Sequence, residues 1–114
     1  MAESASILKT VRQMIGPSAS YDVFDTDLII NINSCLSRLC QLGVGPETPF
    51  KITGDTEEWT DFIDNGNLEE VKQYIYLKTR LIFDPPSSGT VIGLYKEEIE
   101  KLEWLLKEVA HTGY

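Results

Sequence analysis

Apolar residues recur along this chain at intervals of three and four, interrupted by glycine and proline, and that rhythm predicts a helical fold. A first helix is expected over about residues 4–15. Ile7, Leu8, Val11, Met14 and Ile15 form its stripe, Ser4 or Ser6 its cap, and Gly16-Pro17 its stop. A second is expected over about 26–42, with Asp25, Thr26 and Asp27 at the start, where the helix dipole favours negative charge. Its buried face reads Leu28, Ile29, Ile32, Cys35, Leu36, Leu39 and Cys40, its wet face Asn31, Asn33, Ser34, Ser37 and Arg38, and Gly43 ends it.

Residues 44–56 break the pattern with Gly45-Pro46, Thr48-Pro49 and Gly54-Asp55, leaving an irregular loop with a possible extended stretch at 50–52. A short helix follows at 57–63, capped by Asp55 or Thr56, with Trp59, Phe62 and Ile63 turned inward; Asn65-Gly66 closes it. A third long helix is expected at 68–83, capped by Asn67. It is apolar around much of its circumference (Leu68, Val71, Tyr74, Ile75, Leu77, Leu81, Ile82), with Lys72, Lys78 and Arg80 on the wet side, and Asp84-Pro85-Pro86 stops it. The last helix, 90–109, is capped by Ser87 or Ser88. It carries Tyr95, Ile99, Leu102, Leu106 and Val109 at 4-3-4-3 spacing, with Leu94, Trp104 and Leu105 widening the band. The expected fold class is all-α: a small bundle of four main helices and one short one, a single domain over 1–114 with a mobile C-terminal tail at about 110–114.

Charge adds a localised feature. The formal net charge is −8, and residues 55–70 alone hold seven acids (Asp55, Glu57, Glu58, Asp61, Asp64, Glu69, Glu70) and no base. Such a field opposes phosphate binding, which depends on Lys and Arg displacing counterions. It counts against a DNA-gripping protein, and a plain solvated face is the competing interpretation.

Candidate chemistry is thin. Cys35 and Cys40 sit about 140° apart on one helix, beyond disulfide reach, and read as reduced apolar fillers suited to a reducing cytoplasm. A calcium loop with Gly66 in sixth place would put Ile63 third and Lys72 twelfth, where oxygen ligands are needed. Zinc lacks a fourth Cys or His, and His111 stands alone. Asp61 and Asp64 could in principle do acid/base work, but an open helical surface gives them no setting for it. No enzyme, cofactor or metal is expected. No signal peptide or membrane span is read from the N-terminal segment or any apolar run, so a soluble, non-secreted protein is expected. Trp59 and Phe62 read as core; Trp104 and Leu105 exceed what one fold can cover and read as a subunit contact.

Several runs together resemble one family. Asp27-Leu28-Ile29, Ile32-Asn33-Ser34 and Gln41-Leu42-Gly43-Val44-Gly45-Pro46 are similar to the second-helix signature of bacteriophage head–tail connector proteins. So are Trp59 with Asp61-Phe62, the segment from Val71 through Arg80-Leu81-Ile82-Phe83-Asp84-Pro85-Pro86-Ser87-Ser88, and Ile99 with Leu102-Glu103-Trp104-Leu105. The chain departs at Leu105, where relatives carry a basic residue after the Glu-Trp pair.

The resemblance covers about residues 25–106 and implies a helical, non-enzymatic virion subunit, assembled in the host cytoplasm. It implies a cyclic homo-oligomer, a dodecamer in the virion, docked under the portal protein. Such a ring receives a stopper or tail-completion neck protein and passes genome DNA without gripping it. On this reading Trp104, Leu105, His111 and Tyr114 are candidates for subunit or portal contact, and Glu57, Glu58 and Asp61 for a channel-facing acidic surface. The competing function is a small acidic DNA mimic that inhibits a nucleic-acid enzyme. A scaffold subunit lost before maturation is a weaker third.

Overall fold

The structure, a computed structural model, describes residues 6–15, 25–46, 50–63, 67–83 and 85–112, without the side chains of 15, 25 and 109–112. Its elements are α1 (Ile7–Ile15), α2 (Asp25–Gln41), α3 (Trp59–Phe62), α4 (Leu68–Phe83) and α5 (Gly89–Thr112). The all-α reading holds: among the described residues the one β-type contact is an isolated bridge between Ser6 and Glu58. The expected stops at Gly16-Pro17, Asn65-Gly66 and Asp84 lie outside the described residues.

Helix α4 is the centre of the bundle, packing against α1, α2 and α5, while α1 also meets α2. Val71, Tyr74 and Ile75 of α4 are fully buried with Ile7 and Val11 of α1 and Leu28, Ile32, Leu36 and Leu39 of α2. Complete burial of such side chains contributes about 1.5–3 kcal/mol each. Both cysteines are free, and burial pushes the Cys35 thiol up to about 11, with Lys78 pulling weakly the other way, as suits an inert filler.

The helix ends follow local chemistry. Ser6 caps α1, its hydroxyl accepting from Lys9 N at 3.2 Å. At the end of α2, Gly43 takes φ +94°, its N–H donates to Cys40 O at 3.0 Å, and Val44 N donates to Leu39 O at 2.9 Å. This is a Schellman ending, with buried Val44 and Leu39 as its apolar pair. Ser88 Oγ accepts from Val91 N at 3.4 Å at the start of α5, and that helix reaches Thr112, past the expected 109.

The short helix is shorter than expected. The Glu57 carbonyl accepts from Ile7 N at 3.0 Å, so it is spent on α1 instead of on a helical turn. Helix α3 therefore starts at Trp59, with Glu58 as its cap residue in place of Asp55 or Thr56. Trp59 and Phe62 are core residues, as expected; Trp59 Nε1 also donates to Thr10 Oγ1 at 3.1 Å.

Two residues assigned to the wet side of α2 are structural. Asn31 is buried and donates to the buried Thr79 Oγ1 on α4 at 2.7 Å. Asn33 clasps the loop: its Oδ1 accepts from Ile52 N at 2.7 Å and its Nδ2 donates to Ile52 O at 3.0 Å, much as a neighbouring strand would. The stretch at 50–52 thus has its backbone partner in a side chain and forms no strand. The three cations of α4 are likewise half-buried against rings, Lys72 over Trp59, Lys78 over Tyr74 and Arg80 over Tyr76 and Tyr95.

Gly45 locks the loop to the core. Its φ is +96°, and a Cβ there would stand 2.6 Å from Phe62 Cε1. Gly45→Ala should lower unfolding free energy by about 2 kcal/mol in urea titration. Gly54→Ala, which would meet nothing within 4 Å, should change it by less than about 0.5 kcal/mol.

Candidate assembly surface

The surface facing outward is decided by how α5 is rotated against α4. Tyr74 is fully buried, and its hydroxyl donates to Glu103 Oε2 at 2.7 Å. Glu103 Oε1 accepts from Arg38 Nη2 of α2 at 3.3 Å, and Lys78 Nζ donates to the Tyr74 oxygen at 3.3 Å. Three helices meet in this one network. Partial burial would raise the Glu103 carboxyl, but hydrogen bonds from Tyr74 and Arg38 and the charges of Arg38 and Lys78 outweigh it and hold the group below its ordinary value. Burial first, then the bond to Glu103 and its charge, push the Tyr74 hydroxyl well up. Nearer the start of α5, Arg80 Nη1 donates to Tyr76 OH at 2.9 Å and to Tyr95 OH at 3.3 Å.

With Glu103 so fixed, Ile99, Leu102 and Leu106 turn inward. Trp104 then lies about 160° around the helix from both Leu102 and Leu106. It is 64% exposed, Leu105 40% and Leu94 56%. Trp104 is therefore not the margin of a wide apolar band, as the spacing suggested, but stands on the opposite pole of α5. Glu97, Glu100, Lys101, Trp104 and Leu105 together line an open depression of about 520 Å³. An indole in that position has no covering group among the described residues.

A second apolar region lies elsewhere. The Asn31–Thr79 bond joins the start of α2 to the end of α4, so Ile30 and Ile82, each one turn or less away, emerge at the same end of the bundle. They are 63% and 62% exposed. Sequence reasoning missed this pair: Ile82 was counted toward the core, and Ile30 offered no signal beyond lying off the apolar stripe.

The acidic candidates are divided. Glu57 accepts from Thr53 N at 3.0 Å, Thr53 Oγ1 at 2.9 Å and Gly54 N at 3.4 Å. Slight burial works against this, yet those bonds hold its carboxyl below the ordinary value. Asp61 Oδ2 accepts from Glu58 N at 2.9 Å. Both carboxylates are thus engaged within the chain; Asp61 and Glu58 form a capping box, and both residues are exposed. Asp55 pairs loosely with Lys9 at 3.9 Å. Tyr114 and the side chain of His111 lie outside the described residues. Among the described residues no group of three or more His, Cys, Asp or Glu is placed to hold a metal ion, and no helix is long and apolar enough to cross a membrane.

A family model described as phage connector protein matches residues 7–112, which includes every helix above. The chain belongs to the phage connector protein family. A connector is a structural part of the virion, and the uncovered apolar surfaces suit a protein whose work is to be joined to others. Searches of curated proteins and of solved structures returned no match.

The network that orients the connector's α5 has a pH signature. A carboxyl held below its unfolded value adds stability that is present above the unfolded pKa and lost as pH falls through the folded one. Glu103→Gln should cost about 1–2 kcal/mol at neutral pH. The gap from wild type should shrink in denaturation curves taken below the ordinary glutamate range, about pH 4.3, and close at lower pH. A gap that stays constant through acid would contradict the charge-based role.

Proposed function

We propose that this connector chain is the head–tail adaptor subunit that closes into a ring beneath the portal, joins the DNA-filled capsid to the tail or neck, and lets the genome pass. The observation that carries this reading is Trp104, exposed on the pole of α5 that faces away from its own core. Large aromatics in such positions supply the anchors of protein interfaces. That the other apolar region, Ile30 and Ile82, belongs to different helices supports a head-to-tail contact, in which unlike patches meet and a ring forms when the rotation closes. Trp104 and Leu105 serve the neighbouring subunit or the portal, and His111 and Tyr114 extend that contact. The stopper or tail-completion protein docks on the finished ring. Subunits fold in the host cytoplasm before assembly.

Glu58, with Glu57 and Asp61 beside it, borders the DNA path. Negative charge there denies the sliding phosphates a foothold and so limits friction. The DNA-mimic alternative is less well supported, because Glu57 spends both oxygens on Thr53 and Gly54 of its own chain.

Mass determination of the purified protein, alone and mixed with portal, tests the reading. A portal-dependent cyclic assembly is expected, and Trp104→Ala should weaken it by about tenfold or more. A chain that stays monomeric beside portal would refute it. Glu58→Lys should slow DNA ejection from assembled virions; unchanged ejection kinetics would remove the channel role.

A further inference from the structure

The outward side of α5 carries a second periodic pattern, separate from the buried one. Thr90, Leu94, Glu97, Lys101, Trp104 and Glu108 follow each other at 4-3-4-3-4 spacing, and all six are exposed. This is the spacing that lets one helix lie along another. At 1.5 Å per residue the 24 residues of α5 give a ridge about 36 Å long.

The ridge is complementary to itself in one orientation only. Laid antiparallel on a second copy, with a two-fold axis at the level of Ile99, Leu94 meets the second copy's Trp104 and Glu97 meets its Lys101. The axis repeats both pairs. Gly93, whose missing Cβ leaves open space, falls opposite the second copy's Leu105 and gives that side chain room. A parallel arrangement would instead put Glu97 on Glu97 and Lys101 on Lys101, which like-charge repulsion disfavours. We infer that α5 is a homodimerisation ridge through which two copies of this chain pair antiparallel.

Such a pair uses the same patch on both copies, so it ends at two and cannot propagate. It covers Trp104 while subunits are unassembled. The pairing stands on the α5 pattern alone; only its consequence, that paired subunits are withheld from ring growth, rests on the ring reading.

Charge reversal tests it with the full chain and no partner protein. Sedimentation across a concentration series should show a monomer–dimer equilibrium for the wild type. Glu97→Lys and Lys101→Glu should each weaken it by about tenfold, since each turns two attractive pairs into repulsive ones. Glu97→Lys combined with Lys101→Glu in one chain should restore it. An equimolar mixture of the two single variants should form a heterodimer, because every opposed pair is then of unlike sign. The sites are exposed, and either rescue shows that the variants are folded. A wild type that is strictly monomeric throughout, single variants that pair like the wild type, or no recovery in both the double variant and the mixture would overturn the inference. Portal-dependent rings that form despite any of these results would leave the ring reading standing, while charge-dependent dimers in a protein indifferent to portal would uphold the pairing and defeat the ring.

Discussion

The hydroxyl of Tyr74 has to find an acceptor. The ring is wholly buried at the centre of the bundle, and a buried phenol without a partner costs roughly 1–3 kcal/mol. Its acceptor is Glu103, which lies on the helix between Leu102, turned inward, and Trp104, turned outward. One bond at 2.7 Å therefore sets the rotation of α5. Arg38 reaches in from α2 to the same carboxylate, so the rotation is referred to the rest of the bundle and not to α4 alone. A helix free to roll by about half a turn could hide the indole at the expense of the carboxylate. The network forbids that trade, and the exposed surface is a consequence of how the core is satisfied.

The distribution of charge follows a related logic. A chain of net charge −8 repels its own copies, and repulsion between exposed charges reaches about 8 Å at physiological ionic strength. Contacts between copies are favoured where the local field is balanced. The seven acids of residues 55–70 make that stretch a poor place for such contact. The outer side of α5 mixes both signs, with Lys101 among Glu97, Glu100 and Trp104. Apolar anchors and mixed charge thus coincide on one helix, and the strongest single-sign field lies on another part of the molecule.

Much of this architecture was legible in the residues. The apolar stripes placed the four long helices within a few residues of their ends, because burial of a face dominates helix position and the stripe records it directly. Gly43 was legible as a stop, since a left-handed residue after an apolar run has few other uses. What was not legible was partnership. Asn31 and Asn33 read as wet because polarity alone cannot distinguish a solvated amide from one that clasps Thr79 or the backbone of Ile52 across 48 and 19 residues of sequence. The cations of α4 read as wet for the same reason, although long side chains lie along rings while their charged ends stay hydrated. Trp104 and Leu105 read as surplus and both are exposed, but spacing merged two faces of α5 into one band. Only the orientation fixed by Glu103 separates them.

That separation carries weight because the outer face of α5 is worse for a solitary helix than it need be. Gly93 sits inside the helix, where glycine costs about 1 kcal/mol relative to alanine, and a Cβ there would meet open space. No packing among the described residues requires the glycine. Trp104 leaves an indole in water where a polar side chain would keep the helix equally well. Neither choice improves the stability or solubility of one copy alone. Both become intelligible if the face is shaped against another surface, with the glycine admitting a close side chain and the indole filling a recess. The inner face of α5 answers to α4; on the proposed pairing, the outer face answers to a second copy of the chain.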